Sequence, residues 1–282
     1  MIVADLPAPA LDAEGLRQCA GELAGSVDAA LIGEPPGARV QFPPSYRARL
    51  LADAGVPAWA GINCRDRNRV ALDGEIAACL DAGAVGLHCV TGDHPGTGHR
   101  PDAMPVFDLD CVDLVALARG YARSVGRHAS FCSVAHAPAA PPRHMRLQRV
   151  LAKISAGADA VFIDHCGGPR CVASAVTALR GAGFTGVVLA CVPVVTSQAA
   201  AELIASFAGD RLPPGYLEAI GTARDPVTAG IEAATTLAKA MLATDGVDGV
   251  NLSGGTRPGE HRQFARAMAR IGQALREGRQ AQ

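Results

Sequence analysis

The sequence predicts a (β/α)8 barrel formed by a single domain over residues 1–282, and three observations carry that expectation. Short apolar runs recur eight times, longer amphipathic stretches separate them, and a glycine repeatedly closes the stretch before the next run. Continuous rather than alternating hydrophobicity suits parallel strands buried on both faces. Eight such units in 282 residues match a barrel of ordinary length, with a doubly wound open sheet as the alternative arrangement.

The expected strands are "IVADL" (2–6), "AALIG" (29–33), "AWAGIN" (58–63), "AVGLHCV" (84–90), "ASFCSVA" (129–135), "AVFID" (160–164), "GVVLACV" (186–192) and "DGVNLS" (248–253). Between them, "DAEGLRQCAGELAG" opens with an acidic residue in capping position. "RNRVALDGEIAACLDAG" sets Val70, Ile76 and Leu80 on one side and stops at Gly83. "RLQRVLAKISAG" stops at Gly157, and "VASAVTALRGAG" at Gly181 and Gly183. Segment 196–245 holds more than one helix, and "EHRQFARAMARIGQALREG" is the last. The Pro-rich stretch 137–144 reads as a loop, and Trp59 as core or barrel wall.

Composition narrows the function classes. Hydrophobic residues make up 49% and charged residues 19%, enough for a sizeable core. A net charge of −1 and 4% aromatics argue against nucleic-acid partners and anionic membrane surfaces. No run of 18 apolar residues and no signal peptide is seen, so neither a membrane partner nor export is expected. Nine scattered cysteines without a CxxC pair read as reduced thiols of a cytoplasmic protein. Nothing sets the oligomeric state, and a homo-oligomer is allowed.

In a barrel, the loops after the strands build the site. That gathers Asp5, Asn63 with "CRDRNR", "TGDHPGTG" (91–98), His136, Asp164, His165 and "SGGTR" at one end. Each has a plain structural reading as well. Asp93 suits a turn or cap, and Gly92 lets backbone approach a ligand. Arg65 and Asp66 suit an ion pair, and Asp108 or Asp110 in "VFDLD" suits an N-cap. "HCGGPRC" (165–171) fits no standard zinc spacing, so no metal is expected. "SGGTRPG" (253–259) suits either a phosphate loop or a flexible connection.

Read together, "NCRDRNRVALDGEI" and "DAGAVGLHCVTGDHPGTGHRPDAMPVFDLDCVDLV", within residues 63–115, resemble methylenetetrahydrofolate reductases. The resemblance extends to residues 27–56 and to "KISAGADAVF" (153–162). It implies a flavin-containing barrel that binds FAD, takes hydride from NADH or NADPH, and interconverts methylene- and methyl-tetrahydrofolate. It places Asp93 beside the flavin ring, with Thr91 and Gly92 along the same edge, and Asn63, on the cofactor side, stands where the family carries a threonine. Phe107 and Asp110 then match flavin contacts. His136, Arg146, Arg149 and Lys153 fall on the cofactor side, with Lys153 near the phosphates. Asp5 stands where the family carries a glutamate general acid, in "VADLPAP" (3–9). Asp164 aligns with a substrate-binding glutamine and Ser197 with a stacking phenylalanine. These departures leave three readings. One is a reductase, one is the same couple run oxidatively, and one is a folate- or pterin-binding barrel without redox chemistry (a methyltransferase, partner subunit or inactive paralogue).

Overall fold

A computed structural model describes residues 1–6, 11–34, 41–98, 100–126, 130–208 and 211–280, with backbone alone at 207, 208, 279 and 280. Residues 7–9 of the stretch after the first strand, 35–40 of the second resemblance block, and Ala129 of the fifth expected strand lie outside them.

Eight parallel strands close in sequence order into a barrel with helices outside, a single-domain (β/α)8 fold. The strands are β1 (Ile2–Asp5), β2 (Ala29–Ile32), β3 (Ala58–Asn63), β4 (Gly86–Val90), β5 (Phe131–His136), β6 (Ala160–Ile163), β7 (Val187–Pro193) and β8 (Gly249–Ser253). The ring closes where β1 pairs with β8, Val3 opposite Asn251. Helices α1 (Ala13–Leu23), α2 (Pro44–Asp53), α3 (Arg69–Asp81), α4 (Cys111–Ser124), α5 (Arg146–Ser155) and α6 (Pro169–Gly181) follow the first six strands. Segment 196–245 contains α7 (Gln198–Ala208), α8 (Tyr216–Gly221) and α9 (Pro226–Leu242), and α10 (His261–Gln280) comes last.

Local chemistry sets the ends of these elements. The Asp12 side chain accepts the Gly15 N–H at 3.0 Å and caps α1. Gly83, Gly157 and Gly183 adopt φ of 86°, 121° and 87°, the left-handed stop that lets each chain turn into the next strand. Gly181 is instead the last residue of α6. On α3 the buried face is Leu72, Ile76, Cys79 and Leu80, and Val70 is 75% exposed. Val70 stands in the first turn, before the helix settles onto the barrel, which corrects its expected place beside Ile76 and Leu80.

Two apolar layers result. The larger lies between barrel and helices. The smaller fills the barrel itself and joins Val3, Ala29, Trp59, Ala160, Phe162 and Leu189. Trp59 stacks on Phe131 at 5.2 Å and meets Phe162 edge-on. Its Nε1–H donates to Ser133 Oγ at 2.8 Å, and Ser133 Oγ also lies 2.9 Å from His88 Nδ1. Burial, with Lys153 nearby, pushes His88 down to about 4, so this interior network holds a neutral imidazole.

Candidate functional site

The inner layer fixes which strand residues face the axis. Side chains alternate along a strand, so the residues two places beyond Val3, Phe162 and Leu189 also point inward. These are Asp5, Asp164 and Cys191, all toward the carboxyl ends of their strands. The β8 register adds Asn251, paired with Val3 and Cys191, and then Ser253. The β6–β7–β8–β1 side of the mouth therefore has a polar floor.

Asp5 Oδ1 accepts a hydrogen bond from Asn251 Nδ2 at 3.1 Å, and the Gly254 N–H also donates to the carboxylate. Burial outweighs both bonds and, with help from the charge of Asp164, pushes Asp5 up to about 7. Asp164 Oδ1 accepts the His165 backbone N–H at 2.8 Å, and Oδ2 pairs with Arg211 at 3.4 Å. His165 Nε2 lies 2.9 Å from Ser253 Oγ, both residues being buried. Burial holds His165 below its ordinary pKa against the pull of Asp164. Burial also raises the Cys191 thiol well above its usual range. At neutral pH this floor offers a carboxyl group that gains and loses a proton, a second carboxylate, a buried amide and a hydroxyl.

The rim after β2, β3 and β4 is built differently. Asn63 Nδ2 donates to Glu34 at 2.6 Å, and Asn63 Oδ1 accepts the Arg65 N–H at 2.9 Å. Arg67 grips both Glu34 oxygens at 2.8 Å. Arg65 pairs with Asp66 at 2.7 Å. Thr91 Oγ1 accepts the Cys111 N–H at 3.1 Å. Gly92, at φ 88°, adopts a backbone that favours glycine, and a Cβ there would meet the Asn63 side chain tightly at 3.1 Å. Asp93 is exposed on this loop and makes no hydrogen bond or ion pair among the described residues. Phe107, at φ 39°, donates its N–H to Cys64 O, and its ring lies 6.4 Å from that of His94. Asp110 caps α4 by accepting from Val112 and Asp113 N–H at 2.7 and 3.0 Å. Asp108 takes the Arg69 guanidinium and backbone N–H.

Around β5, Lys153 Nζ donates to Ala135 O at 3.1 Å, and Arg146 donates to Ala139 O at 2.7 Å and to Ala140 O. His136 is buried and pushed down to about 4 by burial, Lys153 and Arg146. Arg149 is exposed on α5. Ser197 caps α7 through the Ala200 N–H at 3.2 Å and lines a separate recess with Gln198 and Ile220. The fold thus brings Asp5 and Asp164 together, sets Asn63, Thr91 and Gly92 side by side, groups His136, Arg146 and Lys153, and leaves Ser197 apart. Asn251 and Glu34 carry no expected role in the sequence, and Ser253, expected in a phosphate or flexible loop, instead meets His165. The signal for Asn251 is a polar residue in the otherwise apolar run "GVNLS".

Among the described residues, no group of three or more His, Cys, Asp or Glu side chains is placed to hold a metal ion. Within the described residues, no helix is long and apolar enough to cross a membrane.

No family model matches the chain, and no curated protein matches it in sequence. Solved structures do share its fold. An oxaloacetate acetylhydrolase is 16% identical over 89% of this chain and 74% of its own, with a TM-score of 0.54. A 2,3-dimethylmalate lyase, a member of the PEP mutase/isocitrate lyase superfamily, is 11% identical over 100% and 80%, with a TM-score of 0.53. An uncharacterised protein from Clostridium thermocellum that binds two copies of 5-methyl-5,6,7,8-tetrahydrofolic acid is 11% identical over 97% and 94%, with a TM-score of 0.60. At such identities the likeness is one of fold.

These findings overturn the reductase reading. The methylenetetrahydrofolate reductase resemblance is withdrawn, and with it the flavoprotein oxidoreductase activity, FAD, and NADH or NADPH. The enzymes that share the fold here are a hydrolase and a lyase, and no family or sequence match links the chain to the reductases. The rim shows why the motif misled. Asp110 caps a helix, Thr91 and Asn63 tie loops together, and Arg146 and Lys153 satisfy backbone carbonyls. A charged, glycine-rich block can be kept for holding the barrel mouth in shape.

Proposed function

We propose that the β6–β7–β8–β1 side of the mouth is an enzyme site for a small, nitrogen-rich heterocycle of the reduced-pterin, tetrahydrofolate type. Its chemistry is proton transfer by Asp5. The observation that carries this reading is Asp5 itself, half-buried at the carboxyl end of β1, poised at about 7, and flanked by Asp164 and Asn251. An aspartate that stays half protonated at neutral pH can give a proton to a ring nitrogen and take it back. The Asn251 amide and the Gly254 N–H orient the carboxyl group, and the charge of Asp164 discourages Asp5 from losing its proton. Asp164, with lone pairs beyond those used by His165 and Arg211, accepts from ring N–H or amino groups.

Charge favours this ligand over the oxo-acids of the hydrolase and lyase that share the fold. A dicarboxylate needs a cationic floor, and this floor carries two carboxyl groups, with Arg211 already paired to one of them. A neutral heterocycle rich in N–H groups meets no such repulsion. The folate-binding protein of the same fold supports the choice through its coverage of both chains.

The test is calorimetric titration with 5-methyltetrahydrofolate and, in parallel, oxaloacetate at pH 6 and pH 8. The expected result is folate binding whose heat depends on the buffer's ionisation enthalpy, a dependence that Asp5→Asn abolishes. Binding of oxaloacetate with none of the folate would overturn the proposal in favour of oxo-acid chemistry.

A further inference from the structure

We infer that Asn251 selects the ligand: its Oδ1 accepts an N–H from the bound molecule while its Nδ2 holds Asp5, so the ligand must carry a hydrogen-bond donor close to the atom that exchanges a proton. The inference rests on the reading of the mouth given above and names the feature that site recognises.

Asn251 sits at the middle of β8, 2% exposed, in register with Val3 on one side and Cys191 on the other. Its Nδ2 lies 3.1 Å from Asp5 Oδ1 and 3.8 Å from Cys191 Sγ. Its Oδ1 is the single buried side-chain polar atom without a hydrogen-bond partner among the described residues. Buried acceptors are nearly always satisfied, because an unmade bond costs stability that the folded state cannot recover elsewhere. The amide cannot escape by turning over. That would leave Nδ2, a buried donor, orphaned instead, and whenever Asp5 is ionised it would also set the amide oxygen against a carboxylate. The groups facing Asp5 from neighbouring strands are Asp164 on the β6 side, Cys191 on β7, and the Gly254 N–H after β8, and the last already donates to Asp5. The donor is therefore one that the described residues do not supply, a water or a ligand N–H reaching Oδ1 from the carboxyl end of the barrel.

A reduced pterin meets this requirement, since its saturated ring carries N–H. A fully oxidised pterin offers only acceptors at the same ring nitrogens. Asn251 is thus placed to read the reduction state of the ring through its N–H groups, and the Asn251→Leu variant separates that reading from one made through the ring's pucker.

Affinities for 5-methyltetrahydrofolate and folic acid, measured on wild type and Asn251→Leu, test this. Wild type should favour the reduced ligand by ~10-fold or more, and the variant should bind it ~10- to 100-fold more weakly, with folic acid changed by less than ~2-fold. Equal loss for both ligands, or no loss, would overturn the inference. A high-resolution crystal structure of the unliganded wild-type protein gives an independent decision. An ordered water within hydrogen-bonding distance of Oδ1 is expected, standing in for the ligand's donor, whereas a dry or protein-paired Oδ1 overturns the inference. Should wild type bind neither folate, the functional reading falls, and the crystal structure alone decides the role of Asn251.

Discussion

The β2–β4 rim and the β6–β1 floor of the mouth both present carboxylates and amides, yet they treat them in opposite ways. On the rim, Glu34 answers Asn63 and Arg67, Asp66 answers Arg65, and Asp110 answers the first turn of α4. On the floor, Asp5 is half-buried with donors too weak to keep it charged, and Asn251 keeps an acceptor with no protein partner among the described residues. Satisfied groups give rigidity, and groups held in a costly state give chemistry. The difference is one of partners, since the residue types are the same.

The largest expected effect that sharpens this contrast is Asp5→Asn. Its carboxyl group rises from 3.8 to about 7 on folding, so between those values the folded chain holds a proton that the unfolded chain has lost. Stability should therefore fall as pH rises from about 4 to about 7 and level off above, a span of roughly 4 kcal/mol at most. Asparagine removes that slope. Urea denaturation at pH 5 and pH 8 should show the variant markedly more stable than wild type at pH 8, with the gap closing toward pH 5. An equal gap at both pH values would place Asp5 among ordinary charged residues and erase the contrast.

Next comes Glu34→Ala on the rim, which strands the mostly buried Arg67 and the Asn63 amide. A loss of about 2–3 kcal/mol is expected, below that of a fully buried pair because both partners keep some solvent contact. Its denaturation midpoint should shift without the pH dependence seen for Asp5. Asp110→Ala removes the cap of α4 and should lower stability by about 1 kcal/mol, read from the urea midpoint. Asp93→Ala should change stability by less than ~0.5 kcal/mol and leave ligand binding as it is. A large effect at Asp93 would return the chemistry to the rim.

The fold was legible because its signals are local. Apolar runs mark the strands, and Gly83, Gly157 and Gly183 mark the turns into them. The place of Asp5 and Asp164 at the carboxyl ends of their strands followed from strand order. What could not be read was which groups meet across the barrel. Asn251 lies 246 residues from Asp5, and Ser253 lies 88 from His165. Their pairing depends on the stagger between strands, which no short window of sequence encodes. The charged block at 63–69 caught the eye because charge is conspicuous, whereas a lone asparagine within an apolar strand is not. Val70 failed for a related reason, since helical spacing gives a face but not where the barrel first touches it.

The inner tryptophan carries a consequence for how this chain can change. A Cβ at Gly86 would fall 2.4 Å from the Trp59 ring, so the indole occupies space that belongs, in chain terms, to the neighbouring strand. Positions 59 and 86 are one volume shared between two sites. Alanine at 86 is tolerable only once 59 has already shrunk, and a smaller residue at 59 leaves a void until 86 has grown. Descendants of this sequence would have to cross through an overpacked or hollow intermediate, so the pair should be inherited together and drift together.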